Sequence, residues 1–339
     1  MNLDEILRDR DREVIERLVT GDHDIVYVSG SRVERIGNAH SDLDFFIVTP
    51  TEIDLLQQPV FQRNYYIDCE YYSLHEMEAL AEELNSVDRL GDCAHISDDS
   101  IDLYYRTAIG IPVKQSDRFY ALQTRFNKSI AASVFGQLAA NRSIRNFSEA
   151  TVDLLLGDQL TALFRSRCAA EWATNAFLAR HGEAYPGTKW RFEKAERRFG
   201  LLSPEYKRMW DVRNIGDRSV EDYLTVVGEF LTWCEVPLQQ PPTAEHVLIS
   251  RDPSVKEGYV GADAILVDAD GFVCRLGPVN TAIWKDIEEP ILRDTLVERL
   301  IEEGVVHPAD YASVVVYTLV ARLHGRGLVQ LKTHASKAQ

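Results

Sequence analysis

The stretch "YVSGSRVERIGNAHSDLDFFIVTP", Tyr27 to Pro50, decides how this 339-residue chain is read. An apolar run ends in Gly30 and Ser31, a polar loop follows, and Asp42 and Asp44 run straight into Phe45-Phe46-Ile47-Val48. Alternate side chains of a β-strand share a face, so Asp42 and Asp44 are expected to project together while Leu43 and Phe45 pack on the sheet. Neighbouring carboxylates raise each other's pKa unless a cation stands between them. Hard oxygen ligands and phosphate chemistry point to magnesium, and two such ions about 3.5–4 Å apart can hold both the attacking oxygen and a triphosphate. Gly30 lets the backbone approach closely, and a turn of N–H groups with the Ser31 hydroxyl suits terminal phosphates.

Working outward, residues 1–117 read as α/β. An opening amphipathic helix precedes apolar runs at "DIVYVSG", "LDFFIVT" and "NYYIDCEYYS", with helical spacing in "HEMEALAEELNSV". Residues 118–236 change to long helical segments such as "TVDLLLGDQLTALFRSRCAAEWATNAFLARHG". Prolines and glutamines in 237–244 break both periodicities and mark a linker. Residues 245–332 reset the pattern, with β runs at "HVLISR", "AILVDAD" and "FVCRLG" before three helical runs, and 333–339 form a tail. Asp270-Gly271 between apolar runs is a hairpin signal.

Composition sets bounds on function. An apolar fraction of 45% with 27% charged residues is that of a soluble globular protein. No apolar run approaches the roughly 20 residues of a membrane span, and no signal peptide is evident, so a cytoplasmic protein without a membrane partner is expected. A net charge of −16 disfavours nonspecific binding to nucleic acid backbone and suits sites that reach phosphate through divalent metal. Cys69, Cys93, Cys168, Cys234 and Cys274 form no C-x-x-C pair, which argues against a disulfide framework or thiolate zinc site. The histidines, His40 included, show no H-E-x-x-H spacing.

Gly-Ser, spacer and Asp-x-Asp together resemble the signature of the DNA polymerase beta-like nucleotidyltransferase superfamily. The resemblance implies a mixed-sheet α/β catalytic domain, a nucleoside triphosphate such as ATP as donor, two Mg2+ ions and a third carboxylate on a neighbouring strand. "YYIDCEYYS" supplies Asp68, the first choice, with Glu70 as competitor; Asp42, Asp44 and Asp68 are then the implied metal ligands. "EWATNAFLARHGEAYPGTKWRF" resembles the all-α domain that follows in antibiotic nucleotidyltransferases, where Lys189 would meet triphosphate charge and Trp190 would stack on a base. A solvent-facing Lys189 and a core Trp190 remain equally open. Arg32 and Arg35 in the loop are further candidates for phosphate contact.

The C-terminal stretch, with "ILVDADGFVCRLGPVNTAIWKDIE" and a closing helix running into "GRGLV", resembles the PqqD family of small winged-helix (β3α3) domains that recognise leader segments of ribosomally made peptides. The resemblance implies that a leader adds as a strand to Phe272, Val273, Cys274, Arg275 and Leu276. It would face a helix surface drawn from Tyr311, Val314, Val315, Thr318 and Arg322, which is β-augmentation. Trp284, Ile283 and Leu296 are expected in the core. Joined, the two halves suggest transfer of a nucleoside monophosphate, most simply AMP, to a precursor peptide held by its leader. Nucleotidylation of an aminoglycoside-like small molecule and a non-catalytic peptide-binding adaptor are the alternatives.

Overall fold

The computed structural model describes residues 24–38, 41–50, 60–62, 65–90, 93, 96–237, 246–268, 271–306 and 312–334. The opening helix, His40 and nearly all of the linker expected from the sequence lie outside the described residues. The architecture is mixed α/β, with a mixed sheet and many helices. Two compact units divide the chain, one of residues 1–139 with 174–209, the other of 140–173 with 210–339.

The first unit is built on five strands: β1 (Ile25–Ser29), β2 (Leu43–Thr49), β3 (Val60–Gln62), β4 (Tyr65–Ser73) and β5 (Ile111–Lys114), in the order β3-β4-β2-β1-β5. Only β2 and β4 run parallel. Alternation along β1 and β2 sends Val26, Val28, Leu43, Phe45 and Ile47 into one apolar core with Cys69. The other face carries Tyr27 stacked on Phe46 at 5.0 Å, with the Tyr27 hydroxyl bonded to Thr107 at 2.8 Å.

β4 passes directly into α1 (Leu74–Leu90) through a reciprocal cap: Ser73 N–H donates to Glu76 at 2.6 Å and Glu76 N–H to the Ser73 hydroxyl at 3.1 Å. α2 (Asp98–Ile109) starts at Ser97, whose hydroxyl accepts from Ser100 N–H, with Asp98 and Asp99 in its first turn and Arg106 in its last. α3 (Ser116–Gln123) brings Phe119 within 4.7 Å of Tyr27. Two long helices follow, α4 (Lys128–Leu155) and α5 (Gln159–Arg180), then a 3-10 turn (Thr188–Trp190), α6 (Arg191–Phe199) and α7 (Pro204–Asp211).

The second unit contains α8 (Val220–Trp233), β6 (His246–Arg251), β7 (Lys256–Val260), β8 (Asp263–Val267), β9 (Val273–Arg275), α9 (Pro278–Asp286), β10 (Ile291–Leu292), α10 (Arg293–Glu302), α11 (Ala312–Gly325) and β11 (Val329–His334). The three strand runs expected here are present as β6, β8 and β9. The strands form two sheets of three, β10-β6-β11 and β7-β8-β9, rather than one. β7 escapes sequence reading because all five of its residues are exposed and show no alternation. β8 and β9 pair antiparallel around Gly271, whose φ is +83°; Asp270 lies outside the described residues. Trp284, Ile283 and Leu296 are buried as expected, in a core that also takes Val152 from α4. All five cysteines are free, and among the described residues no helix is long and apolar enough to cross a membrane.

Candidate functional site

Register builds the site. Asp44 stands opposite Ser29 on β1 and opposite Asp68 on β4, while Glu70 stands opposite Phe46. Asp44, Asp68 and Glu70 therefore share one face of the sheet, and Asp42, exposed, sits just ahead of β2. Gly30 closes β1 with φ +89°, and a Cβ there would lie 1.8 Å from Asp44 Oδ2, so only glycine fits beside this carboxylate. The turn behind it is tight: the Ser31 carbonyl accepts from Ile36 N–H at 3.0 Å and Gly37 N–H at 2.9 Å. Ser31 is buried, Arg32 half-buried, and Arg35 exposed with φ 61°.

A cavity of about 510 Å³ opens at this point, lined by Ser31, Asp42, Asp44 and Arg106 with Asn38, Ser41, Tyr185, Gly187, Thr188, Lys189 and Trp190. The Gly-Ser turn, the Asp-x-Asp pair and the Lys-Trp dipeptide thus meet in one place. Lys189 is exposed and Trp190 half-buried, with the ammonium 5.4 Å from the ring centre, and the Trp190 Nε1–H is buried without a hydrogen-bond partner. Arg32, Arg35, Asp68 and Glu70 are not in the cavity wall. Glu70 accepts a 2.5 Å hydrogen bond from the Tyr72 hydroxyl, whereas Asp68 is Asp44's register partner.

Arg106 is the residue that sequence reading missed. Its guanidinium pairs with Asp44 at 3.2 Å and with Asp102, one turn earlier on α2, at 2.5 Å. The signal was an Asp-x-x-x-Arg spacing on a helix running into an apolar strand, with nothing in the spacing to show that the pair faces the Asp-x-Asp strand. Burial lifts Asp44 above the ordinary carboxylate range; Arg106 opposes that shift, and Asp68 and Asp42 add to it. Burial also raises Glu70 and Asp102. For Arg106, burial pulls the pKa down, but Asp102 and Asp44 more than offset it, and the guanidinium stays charged.

A second network braces the loop behind the Gly30-Ser31 turn. Glu34 pairs with Lys128 at 3.3 Å and Arg197 at 3.0 Å, and Arg197 also donates to the Glu34 carbonyl at 2.5 Å and pairs with Glu183. Lys194, fully buried, donates to the Tyr185 carbonyl at 2.7 Å and so fixes a residue of the cavity wall; burial pulls its pKa down to about 7.

The carboxylates supply hard oxygen donors suited to a divalent cation, and the influence of Asp42 and Asp68 on Asp44 is the repulsion that such an ion would relieve. In the arrangement described, one Asp44 oxygen is taken by Arg106, and among the described residues no three acidic, histidine or cysteine side chains form a ready-made metal cluster.

In the second unit, β9 pairs only with β8 among the described residues, none of which adds a strand to its outer edge. Phe272 and Val273 are exposed at 66% and 60%, while Cys274, Leu276 and Val315 are buried in the core. Arg275 pairs with Asp263 at 2.5 Å, and Arg322 with Asp153 of α4 at 3.3 Å. Thr318 is half-buried; Tyr311 and the Val314 side chain lie outside the described residues.

No family model matches this sequence. No curated protein matches it. Among solved structures, a nucleotidyltransferase-like protein from Exiguobacterium sibiricum is similar over 67% of this chain and 74% of its own, at a TM-score of 0.38 and 10% identity. Likeness that remote carries no argument about fold or chemistry, which rest on the residues above.

Proposed function

We propose that this chain is a metal-dependent nucleotidyltransferase that moves a nucleoside monophosphate, AMP from ATP in the simplest case, onto a precursor peptide. The observation that carries the reading is the register of Asp44 against Asp68, with Asp42 just ahead of β2 and Gly30 against the Asp44 carboxylate. Asp42, Asp44 and Asp68 would hold Mg2+, which when bound neutralises the triphosphate. Gly30 and Ser31 would hold the terminal phosphates from the turn, Lys189 would add a positive charge, and Trp190 would take the base. An acceptor hydroxyl attacks the α-phosphorus, its proton passes to Asp68 (Glu70 is the competitor), and the bond to the bridging oxygen breaks so that pyrophosphate leaves. Preorganised charge supplies most of the rate.

Residues 245–332 would bind the peptide's leader at the β9 edge, where unpaired N–H and C=O groups accept an extended strand and the exposed Phe272 and Val273 offer apolar contact. Capture raises the local concentration of the core segment at the catalytic cavity. The acidic wall formed by Asp42 and Asp44 favours a second reading, a polycationic small-molecule acceptor. The test is the intact mass of a candidate precursor peptide after incubation with the protein, Mg2+ and each nucleoside triphosphate, beside the Asp42→Asn/Asp44→Asn chain. Gain of one nucleoside monophosphate, lost in the variant, supports the proposal. A peptide that binds but never changes mass refutes it.

A further inference from the structure

Neither the Asp-x-Asp pair nor the Gly-Ser turn explains why a guanidinium is paired with Asp44. Arg106 is largely buried, pairs with Asp44 Oδ2 at 3.2 Å through Nη1 and with Asp102 at 2.5 Å through Nε, and lies 5.8 Å from the Phe46 ring centre. Its backbone is held as well, because the Ser29 hydroxyl donates to the Arg106 carbonyl at 2.7 Å. It also lines the cavity that contains Ser31, Asp42 and Lys189. We propose that Arg106 is the resident cation of Asp44, yielding that carboxylate to a divalent ion and turning its freed Nη groups onto the phosphate oxygens of the bound nucleoside triphosphate. The inference rests on the nucleotidyl-transfer reading above.

Asp44 is mostly buried on a face that also carries Asp68 and Glu70, and an uncompensated buried carboxylate is costly. Arg106 supplies the compensation when no metal is present. A guanidinium and a divalent ion repel at the same oxygen, so each weakens the other's hold on Asp44 Oδ2. Asp102, one turn away on the same helix and 2.5 Å from Nε, keeps the side chain ion-paired while its head turns from Asp44. The fork that it frees matches two phosphate oxygens at once, which a lysine ammonium cannot do. Metal entry and triphosphate binding are then linked through a single side chain, and the linkage is reciprocal.

The experiment measures Mn2+ binding without nucleotide by electron paramagnetic resonance, then ATP binding at saturating Mn2+ by calorimetry. It compares the full native chain with Arg106→Gln and Arg106→Lys, each checked by thermal unfolding. Arg106→Gln is expected to bind Mn2+ at least about fivefold tighter and ATP at least about tenfold weaker, with Arg106→Lys between it and the native chain on both scales. If Arg106→Gln does not fold, the charge-preserving Arg106→Lys decides alone. A Mn2+ affinity that is unchanged or weaker in the folded variants overturns the exchange while leaving the nucleotidyltransferase reading intact. A native chain that binds neither Mn2+ nor ATP overturns both.

Discussion

Gly30→Ala tests the coupling between the Gly30-Ser31 turn and Asp44. The added methyl would stand 1.8 Å from Asp44 Oδ2 and 2.9 Å from its carboxyl carbon, on a backbone at φ +89°. Holding a non-glycine residue in left-handed backbone costs about 1–2 kcal/mol, which lowers Tm by about 2–8 °C in a unit of this size. The carboxylate must also retreat by well over an ångström to reach ordinary contact, and misplacing a reacting group by about 1 Å costs roughly a hundredfold in rate. Gly182→Ala is the control, since Gly182 has φ +86° in the turn that ends α5, with nothing within 4 Å of the position its Cβ would take. Thermal unfolding beside ATP-dependent pyrophosphate release, with the acceptor present, separates the two effects. Both variants should lose similar stability, but only Gly30→Ala should lose activity, by about a hundredfold. Activity of Gly30→Ala within about threefold of Gly182→Ala would refute the idea that the turn is shaped around Asp44.

Further outcomes follow from other contacts. Lys194 has its pKa lowered from 10.5 to about 7, so between those values the unfolded chain binds more protons and stability should rise with pH, by about 3–5 kcal/mol at most. Lys194→Met should flatten that part of the pH–stability curve measured by urea unfolding. Arg197→Ala leaves the Glu34 and Glu183 carboxylates short of a partner and should cost about 1–3 kcal/mol after allowance for the partial exposure of Arg197; Arg197→Lys should restore only part of it. Ser73→Ala removes the hydroxyl that accepts from Glu76 N–H at the start of α1 and should lower stability by about 1 kcal/mol in urea unfolding. Phe272→Asp, just ahead of β9, should weaken binding of a candidate leader peptide by about tenfold in fluorescence anisotropy, with an unchanged melting curve.

Much of the site's local structure was legible because it depends on short-range rules. Strand alternation puts Asp68 and Glu70 on one face whatever the rest of the chain does, and "DIVYVSG" and "LDFFIVT" read correctly as strands. The apolar spacing behind Trp284, Ile283 and Leu296 likewise told which side chains would be buried. Short or uniformly exposed strands were not legible. β10 is two residues long and β7 has no buried side, so neither carries the alternation that marks a strand.

The sequence by itself determined the types of chemistry available: which carboxylates share a face, that a glycine precedes a serine before them, and that Lys189 and Trp190 are adjacent in the chain. Only the tertiary structure decided their partners. The parallel pairing of β2 with β4 chose Asp68 to stand opposite Asp44 and left Glu70 with Tyr72. Packing against the sheet turned Arg106 onto Asp44, drew Tyr185 and Lys189 into the same cavity, and buried Lys194 from a helix crowded with charge. The reason is one of range. Backbone periodicity repeats over two to four residues and is written into the local sequence, whereas pairing register and ion-pair partners depend on groups far apart in the chain that meet only when the core closes.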